Sequence, residues 1–160
     1  MKSDALHRAI RGALTGKGAH AETREVFDGL DWKLAGARPP ETPHSAYQLL
    51  EHMTYWQEWA VRWLDGEDPA TPEHAAGSWP GGQGPATAAE WRRAVERFRR
   101  TLGALEQRSR GDDLLAKPGS KTVLEMLQAI GSHNSYHVGQ VAFLRQQLDA
   151  WPPPSGGETW

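Results

Sequence analysis

Histidines at four-residue spacing come first, because imidazole is the side chain best suited both to proton transfer and to holding a transition metal. His133 and His137 lie in the string HNSYHVGQ. On a helix, residues four apart stack one turn above the other on the same face. Two imidazoles so placed can reach one ion at about 2.0–2.1 Å. Their face also carries Met126, Ile130, Val141 and Leu144, so both rings should point into a core. A pair alone is a weak signal, common on ordinary helices. His52 strengthens it. It stands at the edge of a second apolar stripe, with Leu49 before it and Trp56 after it. Burying these imidazoles without partners would be costly, and a shared cation removes that cost. Three neutral nitrogen ligands leave coordination positions open, the pattern of a catalytic site. Such ligands suit Zn, Ni, Fe, Cu or Co better than Mg or Ca.

The chain contains no cysteine, so it has no thiolate nucleophile, no thiolate ligand and no disulfide. Other constellations fail as well. A di-iron carboxylate bundle needs paired helical Glu-x-x-His motifs, and Glu41 to His44, interrupted by Pro43, is the only instance here. HExxH, Walker, GxGxxG and GxSxG motifs are absent. Arginines 92, 93, 97, 99 and 100 alternate with Glu90, Glu96 and Glu106, which reads as a solvated helix face. With a net charge of -2, nothing favours nucleic acid. No apolar run approaches the roughly 20 residues needed to cross a bilayer. Met1 to Leu14 lacks an apolar signal core, so the expected address is cytoplasmic.

The elements that would position these histidines are legible from periodicity and caps. Asp4–Leu14 predicts a first helix, with Ser3 as its N-cap and Gly16 and Gly18 beyond its end. Glu22–Leu30 predicts a short helix, after which Pro39, Pro40 and Pro43 forbid regular structure. A second main helix starts at Ser45, which pairs with Gln48 in a capping box, and stops at Gly66. A third starts at Thr87, with Glu90 completing a box, and ends at Gly111. A fourth starts at Thr122, boxed by Glu125, and runs to about Asp149, with Gly131 and Gly139 inside it. Each internal glycine costs about 1 kcal/mol relative to alanine, so close packing or ligand access is expected there. Residues 67–86 are longer than an antiparallel hairpin needs, which points to a crossover between parallel helices. The fold class expected is all-α, a four-helix bundle over 1–150, followed by an extended Pro/Gly-rich tail over 151–160. Trp160 is expected to pack back on the domain or a partner. The eight tryptophans predict a Trp-rich core, with an aromatic-walled pocket the sharper alternative. His7, His20, His44 and His74 read as structural or solvent residues. Asn134, Tyr136 and Gln140 are candidates to support the metal ligands.

LLEHMTYWQEW around His52, together with HNSYHVGQVAFLRQQ around His133 and His137, resembles the DinB superfamily, the DinB/YfiT-like metalloenzymes. The resemblance spans essentially the whole chain, from PHSAYQLLEH to the PPPSGGETW tail. It implies an up-down-down-up four-helix bundle, frequently a homodimer. It also implies a metal site with one histidine from the second helix and two from the fourth, here His52, His133 and His137. Relatives include S-transferases and isomerases that use a low-molecular-weight thiol. The resulting expectation is a divalent-metal-dependent enzyme acting on a small-molecule substrate, with Zn, Ni or Fe as the ion and thiol-dependent S-transfer as its chemistry. A metal-dependent hydrolase, or a non-catalytic metal-binding or dimerisation module, stands as the alternative. Hydrolysis ranks second because no carboxylate shares a face with the histidines, and Glu51 should point away. The electrophile would enter beside Trp56, Trp59 or Trp79.

Overall fold

A computed structural model describes residues 2–156. Among them are five α-helices, one 3-10 turn and no strand. In chain order the helices are α1 (Lys2–Thr15), α2 (Trp32–Gly36), α3 (Ala46–Leu64), α4 (Ala88–Arg108) and α5 (Val123–Gln147). The 3-10 turn, Ala75–Ser78, lies in the connection between α3 and α4. No helix is long and apolar enough to cross a membrane. The expectation for Trp160 lies outside the described residues.

The capping chemistry largely behaves as the sequence predicts. Ser45 and Gln48 cap α3 reciprocally, and Thr122 and Glu125 do the same for α5. The box at α4 is only half formed. Thr87 Oγ1 accepts the Glu90 N–H, but the Glu90 carboxylate accepts from the Ala86 N–H and the Tyr47 hydroxyl instead of the Thr87 N–H. A neighbouring helix has taken over one half of the local motif. Helix α1 starts at Lys2, so Ser3 lies in its first turn and not at its cap. Gly16 ends α1 at φ 71°, a conformation that suits glycine, and the His20 ring occupies the place a side chain would need. Helix α4 stops at Arg108, short of Gly111.

The short helix predicted over Glu22–Leu30 does not form; residues 23–29 are successive turns. Its carbonyls have other partners. Val26 O and Asp28 O accept from the buried Arg145 guanidinium, and Leu30 O accepts from the Trp91 indole N–H. The short helix of this region is α2 instead, capped by Asp31, whose carboxylate accepts the Lys33 N–H. Arg145 is only 2% exposed and also donates to Ala150 O, which ties the end of α5 to the start of the tail. Trp151 then packs on the core.

Two apolar clusters fill the interior. One joins Leu49, Leu50 and Met53 of α3 to Phe98 of α4 and to Val138, Val141 and Leu144 of α5. The other joins Ile10 and Leu14 of α1 to Ala60 and Leu64 of α3, Leu105 of α4, and Val123 to Ile130 of α5. Burying one such side chain contributes about 1.5–3 kcal/mol. Gly131 permits the close approach of α1, since a Cβ there would lie 2.9 Å from Ala13 O. Gly139 has open space beside it. Helices α3 and α4 meet start to start and end to end: Tyr47 on Glu90, Glu58 on Arg97, Gln57 on Thr101, and Asp65 on Arg108. The long connection therefore returns along α3. It is held by Trp59 Nε1, which donates to Pro69 O at 3.0 Å, and by Ser45 Oγ, which donates to Gln83 O. This return path carries the 3-10 turn over His52.

Candidate metal centre

Helices α3 and α5 face each other between the two apolar clusters, and here the core turns polar. His52, His133 and His137 bring one ring nitrogen each to within 4.8 Å of one another. His133 Nε2 lies 3.1 Å from His52 Nε2 and 3.1 Å from His137 Nε2. Ligands at about 2.0–2.1 Å around a tetrahedral ion would be separated by about 3.3 Å. His52 is 7% and His137 5% exposed, while His133 is half-buried.

The far side of each ring fixes what the near side can do. His52 Nδ1 lies 3.2 Å from Ser78 O and 3.1 Å from Ser78 Oγ. Ser78 Oγ donates its own proton to Ala75 O, so both atoms accept from the imidazole. His137 Nδ1 lies 2.7 Å from Gln140 Oε1, again an acceptor. In both rings the proton therefore sits on Nδ1, and the Nε2 lone pair points inward. His133 Nε2 can donate to only one of these lone pairs, and its buried Nδ1 has no partner. Three neutral imidazoles cannot satisfy each other in this arrangement, whereas one shared cation would satisfy all three. This donor set fits a transition metal.

Burial also keeps the rings neutral. It lowers His52 to about 4, partly offset by the hydrogen bond to Ser78. It lowers His133 to about 4 as well, assisted by the neighbouring His137. His137 is lowered chiefly by burial too. Neutral rings are the form that binds metal.

Trp79, just past the 3-10 turn, stacks on His52 with centroids 3.9 Å apart and planes 6° apart. His44 stacks on Trp79 at 3.6 Å and 13°. Two rings so close and so nearly parallel to one indole must lie on opposite faces of it. Trp79 is therefore a wall between His44 and the triad.

Of the supporting residues named from sequence, Gln140 contacts a triad ring directly. Tyr136 is 67% exposed and meets His137 edge-on at 5.0 Å. Asn134 is buried, and its Oδ1 accepts from Gln57 Nε2 at 3.5 Å. His44 is not a bystander, given its stack on Trp79. His7 and His20 are half-buried structural residues. His7 Nε2 contacts Gly111 O at 2.9 Å, and His20 contacts Ala21 O at 2.8 Å and Ser135 Oγ at 2.9 Å. Nothing local in the sequence marks Ser78, a serine in a Gly/Pro-rich loop, as a partner for a histidine 26 residues earlier. Glu51 points away from the triad, to Arg97 at 3.1 Å. Among the described residues, no carboxylate joins the three rings.

Two clefts flank the centre. One, of about 370 Å³, is lined by His44, Tyr136, Gly139, Gln140 and Phe143. The other, of about 410 Å³, is lined by Trp56, Trp59 and Trp63 and by His133 itself. No curated protein matches the chain at a significant level. Residues 17–141, which include all three histidines, match the profile of the DinB superfamily, and the chain belongs to that superfamily.

Proposed function

We propose that this chain is a divalent-metal-dependent enzyme in which His52, His133 and His137 hold one transition metal ion and coordination positions remain open for a ligand. The observation that carries this reading is the tautomer lock. Ser78 and Gln140 place protons on the outer nitrogens of His52 and His137, leaving inner lone pairs directed at a common point. When bound, Zn, Ni or Fe would lower the pKa of a thiol or a water and favour its anion. Ser78 and Gln140 orient the rings. Trp79 covers His52 and keeps water from its face.

Thiol-dependent S-transfer is the chemistry best supported. The chain has no cysteine, so a low-molecular-weight thiol must come from outside. Metal-dependent hydrolysis ranks behind it, because a general base is wanted and Glu51 is engaged by Arg97. The start-to-start pairing of α3 with α4 supports an up-down-down-up order for α1, α3, α4 and α5. Tyr136 and Phe143, exposed on one face of α5, support a homodimer.

Elemental analysis tests the metal site. After dialysis against Zn, Ni or Fe, the purified protein should carry about one equivalent, lost in His137→Ala with helix content unchanged. An unloaded protein, or a His137→Ala variant that binds as well as the parent, would refute the site. A panel of electrophiles offered with a small thiol tests the chemistry; no transfer by the loaded protein would count against it.

A further inference from the structure

The tryptophan cleft has the composition of a ligand site and includes His133 of the triad in its lining. Its walls are Trp56, Trp59 and Trp63, and its floor is Met126 and Ile130. The aromatic walls are held in place. Trp56 and Trp59 meet edge-to-face at 6.0 Å. The Trp59 N–H is engaged by Pro69 O and Ala70 O of the crossover connection. Trp63 lies against Gly119, where a Cβ would come within 2.9 Å of its ring. A pocket of this size, apolar with few polar groups, is what small organic ligands occupy.

His133 stands ten residues into α5, and Lys121, the single charged residue of the lining, is exposed just before that helix begins. Met126 and His133 lie on one helix, seven residues and about 10 Å apart along its axis. The cleft about the other face of the triad has no tryptophan in its lining and reaches Gln140 but none of the three rings.

We propose that the tryptophan cleft binds a flat, apolar, monoanionic organic acid lengthwise, with its carboxylate at Lys121 and its far end presented to the histidine triad. Indole faces supply affinity for the flat body. Lys121 supplies direction, since an exposed ammonium attracts a carboxylate only modestly yet distinguishes the two ends of a ligand. The far end then lies where the metal-dependent reaction proposed above would act. The proposal rests on that reading for its purpose; occupancy of the cleft can be measured with or without the metal.

The probes are 2-naphthoate and its uncharged analogue 2-naphthylmethanol, titrated calorimetrically into the metal-free full-length chain. Both should bind, naphthoate more tightly. Lys121→Gln, a surface change, should weaken naphthoate about threefold and leave naphthylmethanol unchanged. Trp56→Leu should weaken both by about tenfold, with circular dichroism confirming that the variant is folded. In protein loaded with Co²⁺, the naphthoate ring protons farthest from the carboxylate should relax fastest. Failure of either probe to bind, or binding indifferent to both substitutions, overturns the cleft as a ligand site. Fastest relaxation at protons beside the carboxylate overturns the orientation. If Co²⁺ is not taken up while calorimetry gives the expected pattern, the metal reading fails and the cleft stands.

Discussion

Two polar clusters lie side by side between the apolar halves of this bundle, both built on α3 and α5 with Thr101 of α4 joining one of them, and they handle burial differently. In one, Thr101 Oγ1 donates to Gln57 Oε1 at 2.7 Å, and Gln57 Nε2 donates on to Asn134 Oδ1 at 3.5 Å. Each link has a donor and an acceptor, and only Asn134 Nδ2 is left over. In the other, His133 Nε2 faces the Nε2 atoms of His52 and His137 at 3.1 Å each. His133 belongs to the second cluster and Asn134, its neighbour in sequence, to the first. The cost of burying polar groups is similar for both. The first cluster meets it internally except at Asn134 Nδ2. The second is complete only with something added. The donor–acceptor chain of the first joins three helices, whereas the convergent lone pairs of the second are what the proposed metal site rests on.

That contrast can be broken by experiment. Gln57→Leu removes the centre of the Thr101–Gln57–Asn134 chain and leaves the Asn134 carbonyl buried without a donor. It should destabilise the fold by roughly 2–3 kcal/mol, measured by chemical denaturation, while metal stoichiometry stays at that of the parent. A loss of metal binding in a folded Gln57→Leu protein would show that the two clusters are one unit.

Acid should act on the histidine cluster. Burial holds His52 and His133 near 4 in the folded chain, below the ordinary 6.5. As pH falls, the unfolded chain takes up protons first, so the stability of the metal-free protein is present above 6.5 and is lost from there down through 4. Both rings keep some contact with solvent, so the expected loss between pH 7 and pH 5 is about 2 kcal/mol. A denaturation midpoint unchanged over that interval would contradict neutral buried rings.

The smallest effect expected is at the outer nitrogen of His137. Gln140→Ala removes its acceptor and frees the tautomer, and should weaken metal binding about tenfold without altering stoichiometry. Competition against a chelator of known affinity would read this. An unchanged affinity would mean that Gln140 does not set the direction of the His137 lone pair.

The helices themselves were open to reading. Ser45 with Gln48 and Thr122 with Glu125 are local signals, satisfied within four residues, and tertiary packing had no cause to overrule them. The stripes on α3 and α5 likewise placed His52, His133 and His137 on inward faces, because helical geometry alone decides which residues share a face. Long-range contact overruled the local signal wherever a side chain found a better partner. Glu90 turned to Tyr47 and Ala86, and Arg145 and Trp91 drew carbonyls out of the helix expected over Glu22–Leu30.

What the sequence determined alone was the four long helices, the inward histidines and the absence of any internal thiolate. Only the tertiary structure decided that the three rings meet nitrogen to nitrogen, that Ser78 and Gln140 set the tautomers of two of them, and that Trp79 divides His44 from them. The reason is physical. Caps and periodicities are interactions over a few residues, whereas the direction of a lone pair depends on an acceptor delivered by a loop 26 residues away, which no local pattern encodes.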